Sequence, residues 1–200
     1  MEQTQKPELL FATRNSGKVA EIRQLLGDRF TILSLDDIGV TADIPETADT
    51  IEGNALIKAR LVHELTGKAC FADDTGLELD ALGGKPGVMS ARYAGDDCDP
   101  ERNIDKVLGK IDGLKIRGAQ FRTVIAYVDE AGAEHLFEGI CTGRIARYRQ
   151  GKGGFGYDPI FIPDEGDGFL TFAQMEVERK NKISHRGKAV RALVDFLCRQ

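Results

Sequence analysis

The sequence predicts an α/β protein of two lobes sharing one long mixed sheet, with a cleft between them. Two features of the patterning carry that expectation. From residue 8 to residue 72 short apolar runs alternate with stretches of helical period, and from 119 to 147 the period changes to that of two long strands.

The elements follow in order. Glu8 to Thr13 reads as a buried strand, and Gly17 to Leu26 as a helix with Val19, Ile22, Leu25 and Leu26 on one face. Phe30 to Leu35 alternates like a second strand, and the acidic, proline-bearing stretch Asp36 to Asp49 reads as a loop. A helix begins near Thr50 with Ile51, Ala55, Ala59 and Val62 on its apolar stripe, and Cys70 to Ala72 returns as a strand. Ala81 to Pro100 is rich in Gly, Pro and Asp and reads as irregular, before a helix that Pro100 opens. Ala119–Val128 and Ala133–Arg147 read as strands of a hairpin turning at Asp129–Gly132. Ser184 is a plausible N-cap for a last helix that buries Ala189, Val190, Leu193, Val194 and Leu197. No repeat, low-complexity tract or linker interrupts the 200 residues, so a single two-lobed domain over residues 1–200 is expected.

Composition narrows the class. A hydrophobic fraction of 42% and a charged fraction of 30% are those of an ordinary globular protein, and 27 basic against 32 acidic residues leave a net charge of −5, which argues against nucleic acid as the main partner. Cys70, Cys98, Cys141 and Cys198 are too scattered for a zinc site and read as reduced thiols. The opening Met-Glu-Gln-Thr-Gln-Lys-Pro lacks the order of a signal peptide and no run reaches membrane-spanning length, so a cytoplasmic location and no membrane partner are expected.

Four stretches carry candidate chemistry. In Ala72-Asp73-Asp74-Thr75-Gly76 two adjacent carboxylates close an apolar run; a strand would point them to opposite sides, one to grip a cation or activate water and one to brace a turn. Read alone, Asp-Asp-Thr-Gly is better explained as a turn. Thr13-Arg14-Asn15-Ser16-Gly17-Lys18 departs from the P-loop pattern at both ends, with no leading Gly and with Val19 after the Lys. It still offers backbone N–H groups and a helix N-terminus to a phosphate, with Lys18 adding charge; the alternative is a simple helix cap. In Gly151–Asp158 four glycines let backbone approach a ligand on which Phe155 could stack, unless Phe155 or Tyr157 packs in the core. Ser184-His185-Arg186-Gly187-Lys188-Ala189 opens the last helix. His63 and His135 read as local hydrogen-bonding residues.

In this order the four stretches resemble the inosine triphosphate pyrophosphatase family, from about residue 8 to the C-terminus. The resemblance implies an enzyme that hydrolyses non-standard purine nucleoside triphosphates (ITP, dITP, XTP) to monophosphate and pyrophosphate, keeping them out of DNA and RNA. It implies the two-lobed fold on a mixed sheet, a Mg2+ cofactor held by Glu46 and Asp74, and a homodimer. By the same resemblance, water would attack the α-phosphate with Asp74 as base, while Lys18 and Lys180 would meet the phosphates and Asp73 would give support. Thr13, Arg14, Asn15, Ser16, Gly17, Lys18 and Thr75 line the phosphate and sugar side. Phe155, Gly156, Tyr157, Asp158, Lys180, His185 and Arg186 surround the base. Thr75 stands where many members have Ser, Ile51 where many have Phe, and Gly53 where many have Glu; the roles of Glu52 and Asn54 stay open. Two rivals remain. A nucleotide sensor would not need Asp74 or Glu46, and a phosphatase of the haloacid dehalogenase type would need an Asp-x-Asp spacing that the adjacent Asp73 and Asp74 lack.

Overall fold

A computed structural model describes residues 6–199; Met1–Gln5, read above for a leader, lie outside the described residues, as does Gln200. The strands are β1 (Glu8–Phe11), β2 (Thr31–Ser34), β3 (Cys70–Leu79), β4 (Pro86–Gly87), β5 (Gly118–Val128), β6 (Glu134–Ile145) and β7 (Phe161–Pro163). The helices are α1 (Ser16–Leu26), α2 (Ile51–Thr66), α3 (Pro100–Lys110), α4 (Val177–Ile183) and α5 (His185–Leu197). The sheet runs β2-β1-β3-β5-β6-β7, with β4 paired to β3. It is mixed, as expected: β1 pairs in parallel with β2 and β3, while β3–β4 and β6–β7 are antiparallel.

Two compact units divide the chain. The first holds the described residues up to Asp74, Val124–Phe137 and those from Val190 on; the second holds Thr75–Thr123 and Glu138–Ala189. In the first, Phe11 and Phe71 stack face to face at 4.5 Å in the middle of the β1–β3 pair. Val19 and Ile22 of α1 and Ala55, Ala59 and Val62 of α2 are buried with them, which accounts for both helical stripes. Asn15 Oδ1 accepts from Lys18 N to start α1, and Thr50 Oγ1 accepts from Gly53 N to start α2. In the second unit Leu77, Leu79, Ile104, Val107, Phe121, Tyr157, Phe161 and Phe172 belong to one apolar cluster.

One expectation is corrected. Asp73 and Asp74 were read as leaving a strand for a turn, but β3 continues unbroken through both to Leu79. Turn-type composition yields here because nearly every residue of β3 is buried, and ladder pairing satisfies backbone groups that an interior turn would leave unbonded. Ser184 does cap α5, its Oγ accepting from Gly187 N at 3.1 Å. The short α4 and β7 have no counterpart among the expectations. The four cysteines are unbridged, and among the described residues no helix is long and apolar enough to cross a membrane.

Candidate active site

The candidate residues fall into two groups, one in each unit. In the first, β3 turns Asp73 and Asp74 to opposite faces, as strand alternation requires. Lys18 Nζ donates to Asp73 Oδ1 at 2.8 Å, so this lysine is anchored instead of solvated, and the Asp73 side chain is fully buried. Thr13 Oγ1 accepts from Asn15 N, and Ser16 and Gly17 open α1 directly beside them. Arg14 is the exception in this stretch, since its guanidinium reaches the carbonyls of Val40 and Ala42.

On the other face of β3 stands a residue that the sequence reading passed over. Lys58 of α2 is 7% exposed, and its ammonium donates to Asp74 Oδ1 at 2.9 Å and to Glu46 Oε1 at 2.8 Å. Asn54 lies near the same carboxylate, with Nδ2 3.5 Å from Asp74 Oδ2, while its Oδ1 accepts from Ala48 N. Glu52 sits half-buried in the first turn of α2. The missed signal was positional: Lys58 follows Ile51 by seven residues and Ala55 by three, which puts a charged side chain on an apolar stripe. A lysine there is buried, and a buried ammonium must be paired.

The electrostatics follow from that pairing. Burial works against the Lys58 ammonium, but Asp74, Glu46 and Asp73 overcome it and hold its pKa above the ordinary 10.5. Burial pushes the Asp74 carboxyl above its ordinary 3.8, against the pull of Lys58 and Lys18 and with help from Glu46. Glu46 and Asp74 are gathered at one ammonium, so their oxygens are no further apart than two hydrogen bonds laid end to end. Among the described residues no group of three or more His, Cys, Asp or Glu is placed for a metal. A carboxylate pair nevertheless suits Mg2+, which keeps waters and takes its remaining oxygens from phosphates.

The second group surrounds Phe155, which is half-buried. Lys180 Nζ lies 5.4 Å from its ring centre and the Arg186 guanidinium carbon 5.5 Å, so two cations flank one aromatic face or edge. Lys180 donates to Asp158 Oδ2 at 2.7 Å, and the same oxygen accepts from Phe155 N at 2.9 Å. Asp158 thereby fixes both the cation and the backbone of the loop. Gly154 is required beside it, since its φ is +70° and a Cβ would collide with that carboxylate. Gly156 follows Phe155 at φ +58°.

Tyr157 does not stand beside Phe155 as a second ligand-facing ring. It is buried in the apolar cluster, where its hydroxyl donates to Ser90 O at 2.8 Å and burial raises its pKa. The His185 ring is also buried, stacked on Phe121 at 4.4 Å. Arg186 Nη2 donates to Thr75 Oγ1 at 3.2 Å, and Thr75 shares a 2.7 Å hydrogen bond with the buried Thr123 hydroxyl. Of the two other histidines, His63 has the local hydrogen bond expected, Nδ1 lying 2.9 Å from Lys68 O; His135 does not, since its Nε2 is 3.7 Å from Asp129 Oδ2 without a hydrogen bond and its ring packs on Phe196.

Comparison with known proteins adds an independent line. The family model described as Ham1 matches residues 9–196. A Flavobacterium johnsoniae protein named dITP/XTP pyrophosphatase is 52% identical over 95% of this chain and 97% of its own. The solved structure of a HAM1 protein from Coxiella burnetii has a TM-score of 0.86 at 39% identity, covering 97% of this chain and all of that one. A Mycobacterium abscessus structure described as nucleoside-triphosphatase and dITP/XTP pyrophosphatase has a TM-score of 0.73 at 42% identity, covering 93% and 98%. The resemblance drawn from the four sequence stretches is borne out, and so is the mixed α/β class.

The Lys58 pairing has a measurable signature. Lys58→Met should cost about 3–5 kcal/mol at neutral pH, because it leaves two carboxylates without their buried partner. In the wild type the Lys58 contribution is fully present below 10.5 and fades as the pH climbs through the raised folded value. In the variant, Asp74 has a folded pKa raised still further above its unfolded value, so the folded state takes up a proton as the pH falls. The deficit should therefore narrow toward about pH 5. Urea midpoints of both proteins at the two pH values measure this, and a deficit that widens in acid would contradict it.

Proposed function

The chain belongs to the Ham1 family, and from that premise we propose that it hydrolyses deaminated purine nucleoside triphosphates, ITP, dITP and XTP, to the monophosphate and pyrophosphate. The observation that carries the reading is the Glu46–Lys58–Asp74 cluster, in which Lys58 and Asp74 are buried and Glu46 is partly exposed, with Lys18 held at the adjacent Asp73. A sensor without turnover would not need Asp74 or Glu46, and a phosphatase working through an aspartyl nucleophile would need the Asp-x-Asp spacing that the adjacent Asp73 and Asp74 lack.

The first group of residues takes the phosphates. The turn Thr13–Lys18 leads into the positive end of α1, and Lys18 adds a full charge. Glu46 and Asp74 would hold Mg2+, which when bound supplies further positive charge to the phosphate oxygens. Asp74 is the base for the attacking water, and burial supports this assignment by bringing its pKa up toward the working range. Lys58 keeps Asp74 and Glu46 together and charged. Asp73 fixes the ammonium of Lys18. Phosphoryl transfer of this kind is mostly positioning and charge stabilisation, which these residues provide.

The second group takes the base. Phe155 offers a face for stacking, which is tolerant of base identity, so selection falls to hydrogen bonding. Hypoxanthine and xanthine present a 6-oxo acceptor where adenine presents an amino donor, and the Arg186 guanidinium supplies donors. Guanine shares the 6-oxo group, so its exclusion rests on the 2-amino group. Lys180, committed to Asp158, serves by holding the Phe155 loop and adds its charge for the phosphates. Tyr157 and His185 support the pocket from within the apolar cluster. The setting is a homodimer in the cytoplasm, with one two-lobed domain per chain.

Product analysis with ITP and Mg2+ tests the reading. Pyrophosphate is expected; orthophosphate would mean a phosphatase, and no turnover a sensor. Asp74→Asn should lower the rate by roughly 10²–10⁴. In the wild type kcat/KM should fall in acid, because only the Asp74 carboxylate accepts the proton, and Asp74→Asn should lose that acid limb. A variant that keeps the wild-type limb would remove Asp74 from the base role.

Base selection has its own test. Arg186→Ala should lower kcat/KM for ITP far more than for ATP. Phe155→Ala should lower both alike, by about 1–3 kcal/mol of lost stacking. An unchanged ITP-to-ATP preference in Arg186→Ala would take this residue out of base reading.

A further inference from the structure

Arg14 belongs by position to the phosphate-binding stretch, but its side chain is engaged elsewhere. Nη2 donates to Val40 O at 2.9 Å and to Ala42 O at 2.7 Å, and Nε lies 3.9 Å from Asp36 Oδ1. In extended backbone, carbonyls two residues apart face the same way. One nitrogen with two protons therefore bonds both, and ties the turn after β1 to chain 26 and 28 residues further on.

We propose that Arg14 is a positioning residue: it braces the 36–49 loop so that Glu46 stays beside Lys58 and Asp74. The inference rests on the reading of Glu46 and Asp74 as the pair that holds the cation. Residues 40–48 have no regular secondary structure, so no hydrogen-bond ladder fixes their path. Asp36, Asp37, Asp43, Glu46 and Asp49 also concentrate negative charge there, which favours an expanded course. The C-terminal end of the loop is secured by packing. Ala48 N donates to Asn54 Oδ1, and a Cβ on Gly53 would stand only 2.6 Å from Ala48 Cβ, so the loop lies flat on the first turn of α2. At the N-terminal end Val40 N reaches back to Leu35 O, and beyond Val40 the Arg14 guanidinium grips the carbonyls that lead toward Glu46. Glu46 is thus suspended between a packed anchor and an ionic one.

The bracing role and direct phosphate contact make different predictions. In the absence of nucleotide and cation, Arg14→Ala should be cut after Glu46 by a glutamyl endopeptidase several times faster than wild type, because the loop must leave Lys58 to be cleaved. In ITP hydrolysis the half-saturating Mg2+ concentration should rise about tenfold, as for loss of a group that orients a ligand. The change should fall on the Mg2+ requirement and not on the KM for ITP at saturating Mg2+. Arg14→Lys, which keeps a multi-donor cation on a shorter stem, should recover part of both effects. A raised KM at saturating Mg2+ with unchanged cleavage would place Arg14 on the phosphates and overturn the proposal, as would a variant in which neither property moves. Should the wild type release no pyrophosphate from ITP, the reading of the reaction fails, and the cleavage rates still decide whether Arg14 braces the loop.

Discussion

An ammonium ion withdrawn from water and shared by two carboxylates is the interaction on which the candidate site depends. Lys58 brings together Asp74 from β3 and Glu46 from an irregular loop. Neither element would deliver its carboxylate to the other unaided, because like charges repel and a loop without a ladder has no fixed course. The ammonium converts that repulsion into a shared bond. It also explains why α2 carries a charge on its apolar stripe: the stripe faces β3, and β3 has a carboxylate there to receive it.

The same device recurs in each group with different partners. Asp73 holds Lys18, and Asp158 holds Lys180 together with the backbone of the Phe155 loop. Buried ion pairs of this kind rarely add net stability, since apolar side chains of equal volume would serve the fold as well or better. Their concentration around β3 and the Phe155 loop is therefore better explained by chemistry than by folding.

Much of this was legible in the sequence, for identifiable reasons. The α1 and α2 stripes, the Ser184 cap and the long β5 and β6 strands announce themselves through periodicity and capping chemistry, which are local. The course of β3 was not legible, because Asp-Asp-Thr-Gly has the composition of a turn and only burial among neighbouring strands keeps it extended. The seven-residue α4 is too short for a period to register. Tyr157 shows the limit for the site: the resemblance set it beside Phe155 at the base, but the chain turns through Gly156 at φ +58° and the Tyr157 ring enters the apolar cluster. Lys58 was visible only as an anomaly in a pattern otherwise read correctly.

The burial of these charges has a thermal consequence. Hydration of an ion becomes less favourable as temperature rises, so the penalty for keeping Lys58, Asp74, Lys180 and Asp158 out of water shrinks on warming, whereas apolar stabilisation levels off. The ionic framework therefore gains on the apolar cores as the protein warms, so the charge pairs around Asp74 carry a larger share of what holds the site together in heat than in cold.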